Sequence, residues 1–406
     1  MNRLFDVALI AGAVVALSLA VWLAPMLGIA TVLFALAAGF SFWVLIGYPI
    51  ALGILARIGD RPVRKAPLTT TVTAVIAVNN GERFLEDKIR SILDADYPPE
   101  LLDIIVVSDG STDATESIAR RFLSPRLQLM TLPRGGKCAA LNASIAVAKG
   151  ELLLLTDVRQ EIDPGSVRLL VNCFADPAVG VVSGELVIRK GDRQDQADVG
   201  LYWRFETWIR DQLGRIDSMF GATGPFYMMR RELAVFIPPD TLLDDMYLPL
   251  AAFHRGFRLI VESKAQAFDY PTTRDTEFKR KVRTLAGNYQ LLRDYPWLLT
   301  FSNRLWAHFL SYKIGRLMLP HALIVLLITS ALLPQPWLWI ALLPQLGLYA
   351  LAALDPWMPS GFVLQKLSSP ARTFVTMMVA AVVALRVFFV PPRSLWKETK
   401  IAFPTK

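Results

Sequence analysis

Histidine and cysteine are scarce in this 406-residue chain, with three of the first and two of the second. His254, His308 and His321 share no metal-ligand spacing, which argues against a zinc site. Cys138 and Cys173 are too few for a disulfide framework. Each falls in a predicted helix, so both are read as small core residues in a reducing compartment. Charge is scarce as well: 19% of the residues are Asp, Glu, Lys or Arg, against about 25% in an ordinary soluble protein. The deficit is local. No Asp, Glu, Lys, Arg or His lies between Asp6 and Arg57, and from Leu317 to Leu354 there is only His321. Both stretches exceed the ~20 apolar residues that cross a bilayer.

Residues 57–316, by contrast, hold 35 basic and 32 acidic residues. That is ordinary charge density with little net charge, so a conventional domain sits between two membrane blocks. A purely soluble enzyme, a disordered chain and a disulfide scaffold are thereby excluded. The near balance of charge also argues against nucleic acid as a partner. The chain's excess of +8 lies mostly in residues 317–406, with seven Lys and Arg against two acids.

The expected organisation is two N-terminal spans in residues 1–56, a domain at 57–300, an interfacial helix at 301–315, a membrane region at 316–391 and a basic tail at 392–406. The first block divides at Pro25 to Gly28 and reads as a retained hairpin, not a cleaved signal peptide. Arg57, Arg61, Arg64 and Lys65 after it, and Lys313 and Arg316 before the next apolar run, place the central domain in the cytosol by the positive-inside rule. Three apolar runs follow, at about 316–333, 337–354 and 372–391. Three full spans would put the positive tail with Arg393, Lys397, Lys400 and Lys406 outside, so one run is expected to be re-entrant or interfacial. Leu305, Trp306, Phe309, Leu310 and Tyr312 among polar neighbours read as a helix lying on the membrane surface, in contact with lipid.

From Thr71 the central domain alternates strand and helix, the layout of a mostly parallel sheet. Strands are expected at 71–78, 103–108, 127–132 and 151–156, with polar or acidic residues just after each end, where open α/β sheets bind ligands. No G-x-G-x-x-G follows the first strand. Gly135-Gly136-Lys137-Cys138 lacks the Ser or Thr of a phosphate-binding P-loop.

Asp109, Asp157 and the pair Asp244-Asp245 stand out among the acids. Asp113 and Asp163 are read as helix N-caps. The ordered series Asn79-Asn80-Gly81-Glu82, Ser108-Asp109-Gly110-Ser111-Thr112-Asp113, Gly136-Lys137, Thr156-Asp157, Gly221-Ala222-Thr223-Gly224 and Asp244-Asp245 closely resembles family 2 glycosyltransferases. These are membrane-embedded, inverting enzymes related to cellulose and hyaluronan synthases, and the resemblance runs from about Val72 to Tyr289. It implies a GT-A fold, Rossmann-like and mostly parallel, flanked by transmembrane helices. It implies transfer from a nucleotide sugar, UDP-linked, to a growing glycan or polysaccharide at a membrane, with export subunits as candidate partners and the bacterial inner membrane as location.

By the same resemblance Asn80, Glu82 and Asp109 hold the nucleoside, since ionised carboxylates accept hydrogen bonds from base and ribose. Lys137 faces the diphosphate, and Asp157 meets a divalent metal, Mg2+ or Mn2+. Asp245 is the general base that takes the acceptor's proton. Gly221, Thr223, Gly224 and Asp244 shape the acceptor or phosphate site. Two departures are evident. The family's D-x-D reads Asp157-Val158-Arg159, where Arg159 could pair with phosphate. The Q-x-x-R-W of processive synthases reads Arg280-Lys281-Val282-Arg283-Thr284, keeping Arg283, with Arg280 as a second cation toward the diphosphate. The missing tryptophan motivates an alternative acceptor, a polyprenyl phosphate. Arg159 motivates another reading, a non-catalytic nucleotide-binding subunit. In Tyr202 to Arg210 the helically spaced aromatics are read as core, with Trp203 or Trp208 lining an acceptor site as the sharper option.

Overall fold

The computed structural model describes residues 1–188, 196–270, 274–359 and 363–395. Lys397, Lys400 and Lys406 of the basic tail, and the side chains of Tyr202 and Arg393, lie outside the description. Two compact units result: a helical one from residues 1–58, 192–206 and 274–399, and a sheet unit from 59–191 and 207–273.

The sheet unit holds eight strands in the order β3-β2-β1-β4-β7-β6-β8-β5. They are β1 Val72–Val78, β2 Leu102–Asp109, β3 Leu127–Leu132, β4 Leu152–Asp157, β5 Glu161–Ile162, β6 Val179–Ile188, β7 Phe226–Arg230 and β8 Arg258–Asp269. The four strands expected from sequence are parallel neighbours, with Val72 registered against both Leu102 and Leu152. Strands β1, β2 and β4 are mostly apolar and buried at nearly every position on both faces, as central strands covered by helices must be. β3 alternates in exposure, consistent with its place at the sheet's edge. β7 enters antiparallel between β4 and β6. It delivers the loop Gly221–Pro225 to the carboxyl end of β4, where Asp157 N–H bonds Pro225 O at 3.2 Å and Thr156 Oγ1 bonds it at 2.8 Å.

Among the described residues, the helical unit contains five helices long and apolar enough to cross a membrane: Asn2–Leu27, Ile29–Ile58, Trp306–Ser330, Trp337–Trp357 and Gln365–Phe388. On the first, Leu4, Val21 and Trp22 are exposed while Asp6 is buried, the inversion that a lipid solvent selects. Asp6 Oδ1 accepts Ala307 N–H at 2.9 Å. Trp43 Nε1 donates to Ser311 Oγ at 3.1 Å, and Tyr48 and His308 pair at 3.3 Å.

Two expectations change. Residues 306–314 are no separate surface helix; they form the first turns of Trp306–Ser330. Leu305, Ala307, Phe309 and Tyr312 are buried, because the partners just named hold this segment against other helices of the unit. All three C-terminal runs form helices of spanning length, so no short run marks the re-entrant one. On helix Gln196–Ile216, Phe205 and Trp208 are exposed, which removes Trp208 from the core expected of it. Ile209 and Leu213 bury the opposite face.

Glu206 on this helix accepts hydrogen bonds from Tyr312 and from Arg316, the latter at 2.5 Å. Burial opposes its charge, but the Arg316 and Lys313 cations and these hydrogen bonds outweigh it and hold the carboxyl at about 2, below its ordinary 4.5. A depressed carboxylate stabilises the fold above its unfolded value and loses that contribution as pH falls through the folded one. Glu206→Gln should therefore lower stability at neutral pH by roughly 3 kcal/mol, because each pH unit between the two values is worth about 1.4 kcal/mol. Thermal unfolding in detergent should show the gap from wild type closing between pH 4.5 and 2.

Candidate functional site

Parallel pairing puts the carboxyl ends of β1, β2 and β4 on one edge of the sheet, and the loops there carry most of the singled-out residues. After β1, Asn80 takes a left-handed φ of 51°, which its short polar side chain tolerates. Its Oδ1 accepts Thr112 N–H at 2.8 Å. Glu82 bonds the next loop twice: its N–H donates to Asp113 Oδ2 at 3.0 Å, and its Oε2 accepts Ala114 N–H at 2.9 Å. The Asn80 and Glu82 side chains thus pin one loop to the next, leaving part of each acceptor's capacity for a ligand. Asp113 also accepts Thr115 N–H, and Asp163 accepts Gly165 N–H, each just before a helix.

Asp109, at the end of β2, is 3% exposed and already satisfied. Oδ1 accepts N–H from Gly135 at 2.6 Å and Gly136 at 3.0 Å, and Oδ2 meets Arg134 Nη1 at 2.8 Å. The carboxylate fills the N-terminus of helix Lys137–Val147, the position an incoming anion would otherwise take. These bonds tie the end of β2 to the loop that leads into Lys137.

That clamp aims the next residue, Lys137. Its Nζ lies 2.9 Å from Asp157 Oδ1, at the end of β4, and 3.2 Å from Asp244 Oδ2, in the first turn of helix Asp244–His254. Burial alone would weaken the ammonium's hold on its proton; Asp157 and Asp244 reverse that and raise it. Asp245 lies beside this bridge. Ala222 N–H bonds its carbonyl at 2.8 Å, and the loop Gly221–Gly224 lies flat on the helix. A Cβ on Gly224 would stand 2.6 Å from Asp245 Oδ2, and one on Gly221 2.6 Å from Met246 Cγ. These glycines allow close approach, as expected, but the approach is to the helix that carries Asp245. Thr223 is fixed by Ser183 Oγ, which accepts its N–H at 2.8 Å, and by Arg210 Nη2 at 3.0 Å from its hydroxyl. Arg210 was not legible as a site residue, because it sits among aromatics with no motif.

Arg159 does not point a free cation at phosphate. Its Nη2 is 2.6 Å from Asp269 Oδ2, which also accepts Gln160 Nε2 at 2.9 Å. Arg280 binds Glu277 on the same helix turn at 2.9 and 3.0 Å. Arg280 and Arg283 both belong to helix Arg274–Asp294, in the helical unit.

Two buried groups escaped the sequence reading. Lys88 is fully buried, donating to Thr156 Oγ1 at 2.7 Å and Gln160 O at 2.5 Å. It braces the turn that carries Asp157. Tyr227 is fully buried, and its hydroxyl has no hydrogen-bond partner among the described residues. Burial, then Asp244, Asp245 and Asp157, raise its proton affinity. Neither residue looks functional in sequence: one lies on an amphipathic helix, the other in an apolar strand.

A divalent cation such as Mg2+ or Ca2+ asks for about six oxygen ligands. Here Asp157 and Asp244 offer carboxylates, an ammonium already stands between them, and no group of three or more His, Cys, Asp or Glu converges among the described residues. The donor set fits a held ammonium better than a held metal.

Residues 73–236 match the family model described as Glycosyl transferase family 2. An N-acetylglucosaminyltransferase of Rhizobium meliloti (strain 1021) is 27% identical over 281 residues, covering 64% of this chain and 66% of that protein. A beta-monoglucosyldiacylglycerol synthase of Synechocystis sp. is 24% identical over 283 residues, 64% of this chain and 58% of that protein. The chain spans less than two thirds of the length of these relatives. Among solved structures, a mannosyltransferase from Pyrobaculum calidifontis in complex with GDP-Man and Mn2+ superposes with a TM-score of 0.66 at 23% identity, over 88% of this chain and 99% of that one. At that identity the likeness establishes the fold, the GT-A arrangement expected.

Burial pushes the Lys88 ammonium down from 10.5 to about 7, with Asp157 and Glu161 opposing. Between those values the unfolded chain holds a proton that the folded one lacks, so stability rises with pH across the window and is flat below it. Wild type should gain stability relative to Lys88→Met from pH 7 toward 10, by up to about 1.4 kcal/mol per pH unit, measured by thermal unfolding.

Proposed function

Since residues 73–236 are a glycosyl transferase family 2 domain, we propose that this chain moves a sugar from a UDP-linked donor to a growing glycan or polysaccharide at a membrane, inverting the anomeric centre. The observation that carries the reading is the cluster inside the sheet unit. Asp245 sits on the first turn of its helix, with Gly224 pressed against its carboxylate, beside Asp157 and Asp244 joined through Lys137.

In this reading the nucleoside lies along the loops Asn80–Glu82 and Asp109–Asp113, and the diphosphate approaches Lys137. Asp245 takes the proton from an acceptor hydroxyl as its oxygen bonds to the anomeric carbon. The bond from that carbon to the diphosphate breaks in the same step, and the nucleoside diphosphate leaves with the electron pair. Gly224 holds the base by leaving it room, and Arg210 holds the loop through Thr223. A metal, of the kind the Pyrobaculum enzyme carries, would neutralise the leaving diphosphate; in this chain Lys137 offers that charge at Asp157.

A lipid acceptor is the second reading. It is supported by the relative named for diacylglycerol and by Thr284 in place of the tryptophan of processive synthases, and a polyprenyl phosphate belongs to this class. The five apolar helices and the basic residues beside them support a multi-pass protein of the bacterial inner membrane with its sheet unit in the cytosol, where nucleotide sugars are made. Polysaccharide-export subunits are the corresponding partners.

Purified protein should release nucleoside diphosphate from at least one of a panel of UDP- and GDP-sugars given glycan and lipid acceptors. Asp245→Asn should cut transfer by roughly 10²- to 10⁴-fold, the worth of a general base, while nucleotide binding persists. Turnover unchanged in Asp245→Asn would end the mechanism, and no turnover with any donor would return the non-catalytic reading. Gly224→Ala should lower kcat by about 100-fold by displacing Asp245, with little change in the unfolding temperature.

A further inference from the structure

We propose that Lys137 is a built-in cation that occupies the place between Asp157 and Asp244 where a divalent ion would bind, so that the nucleotide-free protein excludes metal for as long as this ammonium is present. Its bearing on catalysis rests on the reading that the donor's diphosphate meets Asp157, but its test requires no donor.

Three observations converge on it. Nζ bridges two carboxylates from distant parts of the chain, at 2.9 and 3.2 Å, and both are oxygen donors of the type a hard cation takes. The position that would add a further carboxylate is Arg159, and its guanidinium is committed to Asp269 at 2.6 Å; the turn supplies a cation where a ligand is needed. Behind the same turn, Lys88 holds Thr156 Oγ1 and the Gln160 carbonyl, so a second basic side chain stands near Asp157 on the protein side. A dication entering here would face both lysines and would gain two carboxylates, of which Asp244 is 8% exposed.

The ammonium is also kept where it is. Lys137 opens its helix directly after Gly136, whose φ is 88°, and both glycines before it are held by Asp109. The backbone clamp fixes the root of the side chain, and two carboxylates fix its tip. Removing the charge would leave two adjacent acids, which is the arrangement that recruits a dication.

The probe is Mn2+ alone, added to full-length protein in detergent without nucleotide and followed by the electron paramagnetic resonance of free Mn2+. Wild type should leave that signal unchanged to about 1 mM, whereas Lys137→Met should bind at least roughly tenfold more tightly. Adding Asp157→Asn to Lys137→Met should abolish the gain, and Lys137→Arg, which keeps the charge, should behave as wild type. Wild-type binding tighter than about 0.1 mM, or a folded Lys137→Met that binds no better than wild type, would overturn the proposal. Should Lys137→Met fail to fold, Lys137→Gln carries the same comparison. Because no sugar donor is present, failure here is separate from failure of the transferase reading.

Discussion

A single ammonium ion, that of Lys137, joins the charges of two parts of the sheet unit that lie far apart in sequence. Asp157 ends a central parallel strand and Asp244 begins a helix almost ninety residues later. Like charges this close repel strongly where water is scarce, so the two can share a site only with a cation between them. Asp245 and the Gly221–Gly224 loop lie beside that junction, the loop held by Ala222 N–H on the Asp245 carbonyl and by Pro225 O on Asp157 N–H. Asp109 contributes from behind by holding the backbone from which Lys137 springs.

The β4 turn is built on the same logic at larger scale. Residues 156–160 include one carboxylate and one guanidinium, and each is answered, Asp157 by Lys137 and Arg159 by buried Asp269, while buried Lys88 holds Thr156 and the Gln160 carbonyl. Buried ions hold position only when paired, since loss of one partner strands the other. The turn is therefore stiff without regular structure. That stiffness suits a site whose groups must be aimed before the ligand arrives.

The parallel strands and their order of appearance were legible because β1, β2 and β4 read as short β-branched or leucine-rich runs bounded by turn residues, a local signal. Lys137, Asp157, Asp244 and Asp245 were legible only as an ordered series, and the structure does bring them together. What sequence did not carry is who pairs with whom. Asp109 looks identical in sequence whether it meets a nucleoside or two glycine N–H groups. Arg159 looks available until Asp269, 110 residues later, is seen against it. Lys88 sits among Glu86, Asp87 and Arg90 on a helix whose other charges face water. The segment 303–313 misled for a related reason: its aromatic and polar mixture suits a lipid surface and a protein interior equally well, and only the partners Trp43, Tyr48 and Asp6 decide between them.

Asp6 carries a consequence for how such a chain is made. Its lasting partner is the N–H of Ala307, 301 residues further on. During synthesis, that partner does not yet exist when the first helix has been made. Until the ribosome has finished the entire sheet unit, the carboxylate has Arg3, one turn away at 3.4 Å, as its companion. The order of translation thus sets a waiting period in which Asp6 has only its local pair within reach, and the arrival of helix Trp306–Ser330 ends it.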